Sequence, residues 1–99
     1  MTETVPAETV TVETVLAQRP DLGAATIDEV TAVMDEDADA YLLIDAIGSV
    51  IWERLAQPVR MSDLCEELAA SYDVDPETCR RDVLDFANDL VRRGLAVTA

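Results

Sequence analysis

The strongest constraint in this chain is a helix bracketed at both ends. Asp75-Pro76-Glu77 opens it and Arg92-Arg93-Gly94 closes it. Asp75 is an N-cap, whose side-chain oxygen takes up an orphan amide of the first turn. Pro76 falls at the first helical position, where a missing N–H is no loss. Glu77 puts negative charge at the positive end of the helix dipole, and the two arginines do the converse at the far end. Gly94 suits the left-handed residue that commonly follows a helix. Between these signals Cys79, Val83, Leu84, Phe86, Ala87, Leu90 and Val91 are apolar, and at about 100° per residue they span an arc of roughly 160°. Covering one small core needs less. The surplus is either a second apolar edge facing a groove or the mark of a small domain that wraps two elements around its last helix.

Two shorter helices are expected upstream. Asp45 is a candidate N-cap for a helix carrying Ile47, Val50, Ile51 and Leu55, with Trp52 beside that stripe as a core anchor and Pro58 ending it. Ser62 is expected to cap the next, whose stripe is Leu64, Cys65, Leu68 and Tyr72. Before the helices the pattern is that of strands. Residues 9–13 alternate polar and apolar and read as a first strand. Pro20-Asp21-Leu22-Gly23 is turn chemistry. Residues 26–34 are rich in β-branched side chains and read as a second strand. Asp35-Glu36-Asp37-Ala38-Asp39 is a polar hairpin tip, and residues 40–44 form a short apolar third strand. Residues 1–8, Thr/Glu-rich with Pro6, read as a flexible tail. The expected fold is α+β: a three-stranded antiparallel sheet followed by three helices, forming a single domain over residues 9–97.

Charge narrows the partners. The 99 residues carry 21 acidic and 7 basic side chains, for a net charge of −14, with no histidine; every basic residue is an arginine. Nucleic-acid affinity rests largely on cationic neutralisation of phosphate, and anionic membrane surfaces attract basic segments, so neither is an expected partner. A basic or neutral partner fits, as does simple solubility. Without histidine the chain lacks the commonest general base and metal ligand. No secretory signal and no apolar run long enough for a bilayer are visible. The chain reads as cytoplasmic, with Cys65 and Cys79 reduced.

No constellation in the sequence points to catalysis. Glu66 with Glu67, and Asp35 with Asp37, read as solvated faces. The 35–39 run lacks the glycine and the final glutamate of a calcium loop. Cys65 and Cys79, on two helices and within apolar stripes, read as buried thiols and cannot build a zinc site by themselves. Gly48-Ser49 faintly suggests a phosphopantetheine carrier, but here the serine falls inside a helix that follows strands. Three helices after a strand suggest a winged helix-turn-helix; a DNA reader, however, would not set Glu77, Asp82, Asp85 and Asp89 beside Arg80 and Arg81 on its recognition helix.

One further pattern is carried by the order of residues. Tyr41-Leu-Leu-Ile-Asp-Ala-Ile-Gly48, Ile51-Trp52 and Leu55 lead to Leu64, Leu68 and Tyr72-Asp-Val-Asp75. Asp82-Val83, Phe86, Leu90 and Gly94-Leu95 follow. Over residues 26–96 this resembles the PqqD family, the recognition elements of ribosomally made, post-translationally modified peptides. Asp45, where the family more often has Asn, and Ala87, where Leu is frequent, depart from its commonest form.

The resemblance implies a winged-helix-like module that is not an enzyme and uses no cofactor or metal. It implies that the leader segment of a precursor peptide adds as a strand to the third strand, in a groove closed by the third helix. Ala40, Tyr41, Leu42, Leu43 and Ile44 would serve strand addition; Cys79, Asp82, Val83 and Phe86 would form the pocket. The cysteine positions are similar to those of stand-alone members in lasso-peptide pathways, so the implied partners are the leader, a transglutaminase-like leader peptidase and a cyclase. A peptide chaperone of another such pathway, a carrier protein and a degenerate winged-helix regulator are the alternatives.

Overall fold

The computed structural model describes residues 10–35 and 40–98. The tail expected at residues 1–8 and most of the 35–39 tip lie outside the described residues. Along the chain run β1 (Val15–Gln18), β2 (Gly23–Ile27), β3 (Val30–Asp35), β4 (Ala40–Ile44), α1 (Ala46–Arg54), β5 (Val59–Arg60), α2 (Met61–Tyr72), α3 (Pro76–Arg92) and β6 (Ala96–Thr98). The three-stranded antiparallel sheet followed by three helices is present, as β2-β3-β4 and α1 to α3. A second small sheet, ordered β5-β1-β6, accompanies it.

The strands differ from the expected ones in two places. Residues 10–14 form no strand: the Thr11 and Thr14 side chains bond within the segment, with Thr14 N–H donating to Thr11 O at 3.0 Å and Thr11 N–H to Thr14 Oγ1 at 3.0 Å. Threonine hydroxyls offer the backbone this local alternative to a ladder. The first strand is instead β1. Residues 26–34, read as one strand, are split by a tight turn at Asp28-Glu29 into β2 and β3, paired Ile27 with Val30 and Gly23 with Met34. Both turn residues have positive φ, 52° and 72°, the conformation that a two-residue hairpin of this hand requires and that Asn-Gly usually supplies. Asp-Glu carries no such signal.

β1 clasps the chain together. Leu16, fully buried, faces Val59 on one side and Thr98 on the other. Gln18 ties down the end of α1: its N–H donates to Leu55 O at 2.8 Å, and its Nε2 donates at 2.7 Å to Trp52 O, which also accepts the Leu55 N–H. Arg19 then joins the two sheets. Its Nη1 donates to Gly94 O at 3.0 Å, and its Nη2 lies 2.9 Å from the buried Asp35 carboxylate at the end of β3.

The outer helices are capped as their sequences demand. Gly48 N–H donates to Asp45 Oδ1 at 2.8 Å, and Thr78 N–H to Asp75 Oδ2 at 3.0 Å. Gly94 has φ +76° after α3. Ser62 is not a cap. α2 begins at Met61, two residues before a Ser62 cap would start it, and its first amides are met by main chain: Met61 N–H donates to Thr14 O and Ser62 N–H to Val12 O, both at 2.9 Å. The 10–14 segment therefore replaces a side-chain cap. Trp52, Leu55, Met61, Leu64, Leu68, Ala87 and Leu90 fill the core between the helices and the sheets.

Candidate functional site

The widths of α3 and α1 together make the site. α3 presents Ala87 and Leu90 to the core. One margin of its apolar arc, at Leu84 and Asn88, is covered by the N-terminal segment: Val10 is buried, and its N–H donates to Asn88 Oδ1 at 2.8 Å. The other margin, with Cys79, Val83 and Phe86, borders a cavity of about 400 Å³. Both sequence readings of the wide arc therefore hold, one at each edge.

α1 supplies the facing wall with Ile47, Gly48 and Ile51; Leu68 and Tyr72 of α2 and Val74 of the following loop complete it. Gly48 is what lets the walls approach. A Cβ at that position would overlap Ile44 Cγ2 and come within 3.2 Å of Phe86 Cζ. The lining is apolar apart from Thr78, the Tyr72 phenol and two carboxylates, Asp45 and Asp82. No arginine lines it, so the mouth is acidic. Both thiols are held above the ordinary cysteine range. Cys79 is raised by burial and then by the Asp82 carboxylate, and Cys65 by burial and then by Cys79. The Cys79 thiol points toward Cys65 O at 3.8 Å. These are packed, protonated thiols rather than nucleophiles.

Of the nine residues expected to bind peptide, Cys79, Asp82, Val83 and Phe86 line the cavity. The five residues of β4 do not line it. β4 is instead the last strand of its sheet, after β2 and β3, and Ile44 runs directly into Asp45 at the cavity wall. Leu42 packs against the core and Ile44 is buried, whereas Tyr41 and Leu43 stand on the opposite face, exposed. What β4 brings to the site is its edge, since an end strand leaves alternate N–H and C=O groups unpaired.

Asp45, Ile47, Gly48, Ile51, Leu68, Tyr72, Val74 and Thr78 line the cavity without having been singled out as contacts. A sequence signal existed for one of them: glycine inside a helix is costly and asks for a close approach. Ser49 is 4% exposed, and its Oγ lies 3.0 Å from Glu29 O and 3.2 Å from Ile44 O. A serine that bears a prosthetic arm has to be accessible, and this one ties α1 to the β2–β3 turn. Among the described residues no group of three or more metal-ligating side chains is found, and no helix is long and apolar enough to cross a membrane.

No curated protein matches the chain. A solved structure described as TbiB1 in complex with the TbiA(beta) leader peptide shares the fold, with a TM-score of 0.74 and 29% identity, covering 81% of this chain and 93% of that one. A family model described as Coenzyme PQQ synthesis protein D (PqqD) matches residues 31–96. That span takes in β3, the edge strand β4 and both walls of the cavity, and the chain belongs to the PqqD family.

Proposed function

We propose that this chain is a recognition element that binds the leader segment of a ribosomally made precursor peptide. The leader adds as a strand to the outer edge of β4 and lays alternate side chains toward the cavity between α1 and α3. The observation that carries this reading is the adjacency of a terminal strand, β4, to an apolar cavity that starts at its last residue. The likeness to a protein solved with a leader peptide on it supports the same reading. Main-chain hydrogen bonds along β4 supply affinity and the cavity supplies selectivity, the usual division in strand addition. Asp45 and Asp82 favour leaders with a basic residue near the apolar one.

The binding unit runs over residues 9–97 and performs no reaction itself. It holds the leader for a transglutaminase-like leader peptidase and a cyclase, in lasso-peptide maturation. Titration calorimetry against the leader of the precursor encoded beside its gene tests binding; no heat at tens of micromolar would end the proposal. Hydrogen exchange followed by NMR tests the mode. Alternate amides within residues 40–44 should exchange fast in the free protein and become protected with leader bound. Protection confined to α1 and α3 would exclude strand addition.

A further inference from the structure

A second cavity, of about 450 Å³, adjoins the one described above. It lies between α1 and the β2–β3 turn, with Thr26 and Glu29 on one side and Ala46, Val50 and Glu53 on the other. Positions three and four apart along a helix share a face, so Ala46, Val50 and Glu53 form one wall. Ile47 and Tyr72 line both cavities. They make an apolar ridge between the two, 47% and 43% exposed. The turn is held in place, since Ser49 Oγ lies 3.0 Å from Glu29 O and 3.2 Å from Ile44 O. That contact ties the turn, the end of β4 and α1 together at one point. Glu29 and Glu53 are the charged residues of the lining, and no arginine among the described residues joins them. Arg54, next to Glu53 in the chain, pairs instead with Glu67.

We infer that this second cavity receives a lysine or arginine side chain of the precursor peptide. The inference rests on the leader reading proposed above and extends it by one subsite. A strand added along β4 leaves the sheet at Ile44, and both cavities open beyond that residue, the first at Asp45 and the second at Ala46. Peptide that continues past Ile44 from the first cavity meets the Ile47–Tyr72 ridge and then the second cavity. The chemistry there fits a long cation. Ala46, Ile47 and Val50 offer apolar contact to a methylene stem, while Glu29 and Glu53 receive the charged head, the division that lysine and arginine side chains favour. The Tyr72 ring adds a face that attracts a cation. An acidic side chain would be repelled, and an apolar one would desolvate two carboxylates without pairing them. A second copy of this chain is the poorer occupant, because two copies would bring net charges of −14 together.

The test uses the full chain with Glu29→Gln and Glu53→Gln combined, which keeps side-chain size and removes both charges. A charge-matched control, Glu66→Gln with Asp85→Asn, removes two exposed acids that border other depressions. Circular dichroism and a thermal melt report folding. If the first pair does not fold, Glu53→Gln alone, at an exposed position of α1, carries the test. Calorimetry is run against the leader of the precursor encoded beside the gene, and against leaders in which each lysine or arginine in turn is replaced by methionine. Leader affinity is expected to fall about fivefold in the Glu29/Glu53 variant, as two exposed ion pairs allow, and less than about twofold in the control, whose charges are screened by salt. One leader substitution should abolish the difference between parent and variant, the mark of a direct pair. Equal losses in variant and control overturn the inference, because long-range attraction then accounts for both. So does a loss that no single leader substitution abolishes. Unchanged affinity in a folded variant overturns it too, and a parent dimer that dissociates in that variant would assign the cavity to a second copy. A cognate leader that binds at micromolar concentration without any lysine or arginine overturns it outright. A parent chain that binds no leader at all defeats the underlying function instead.

Discussion

Phe86 of α3 stands over Gly48 of α1 so closely that a methyl group on Gly48 would lie 3.2 Å from Phe86 Cζ and would overlap Ile44 Cγ2. The glycine thus sets the separation of the two cavity walls. Gly48→Ala improves helix propensity but overpacks this contact, at a cost of about 1–3 kcal/mol. The expected outcome is a lower melting temperature together with weaker leader binding. A gain in stability with binding unchanged would mean that the walls move apart freely.

Phe86→Ala acts on the same wall from the other side. Phe86 is half-buried and lines the cavity. Its loss should weaken leader binding by an order of magnitude or more, about 1.4 kcal/mol or above, while the chain stays folded on the fully buried Ala87 and Leu90. Calorimetry beside circular dichroism separates the two effects.

The thiols give a way to watch the cavity fill. Cys79 lines the cavity, while Cys65 borders a different depression, with Val12 and Arg80. Both thiols sit above the ordinary cysteine range because burial disfavours the thiolate. Labelling by a disulfide reagent should therefore be slow at neutral pH and should rise only at alkaline pH. Bound leader should protect Cys79 in a Cys65→Ala chain and leave Cys65 reactive in a Cys79→Ala chain. Equal protection of both would place the leader elsewhere.

Asp75 makes the cap of α3 sensitive to acid. Its carboxylate accepts from Thr78 N–H and from the Thr78 hydroxyl, which hold it below the usual aspartate range. A folded group that releases its proton more readily than the unfolded chain stabilises the fold above the ordinary aspartate value. That contribution disappears as pH falls through the lowered one. Asn at this position caps without titrating. Melting curves of the parent and Asp75→Asn chains from pH 6 down to pH 2 should show the parent losing ground; parallel curves would mean that the cap charge is idle.

The Asp28-Glu29 turn is a stability reserve. Glu29 sits at φ 72°, and a non-glycine residue there costs of order 1 kcal/mol. Asp28→Asn with Glu29→Gly should raise stability by about 0.5–1 kcal/mol, since part of the relief is offset by the freedom of glycine in the unfolded chain. Denaturant midpoints check it. No gain would mean that the bond from Ser49 Oγ to Glu29 O already stabilises this turn.

The local part of the fold was legible because its signals are local. Asp45, Asp75-Pro76 and Gly94 act within one helical turn, and each caps as its chemistry requires. The apolar strand over residues 40–44 and the wide arc of α3 were legible for the same reason. Ser62 failed as a cap because α2 already starts at Met61, where the Met61 and Ser62 amides dock on Thr14 O and Val12 O, acceptors some fifty residues away along the chain. The split of residues 26–34 was hidden because Asp-Glu does not announce a left-handed turn; tertiary contacts hold it there. Likewise, two thirds of the cavity lining was illegible, since residues such as Ile47, Tyr72 and Val74 read as ordinary apolar positions until α1, α2 and α3 meet.

Composition and local pattern by themselves determined an acidic, single-core chain with three helices and an apolar strand before them. Only the tertiary structure decided that β4 ends its sheet and that one edge of α3 is free while Val10 covers the other. Capping and periodicity depend on neighbours a few residues apart, which sequence lists directly. Edges, cavities and faces depend on which distant segments arrive to cover them, and that is fixed only when the chain closes on itself.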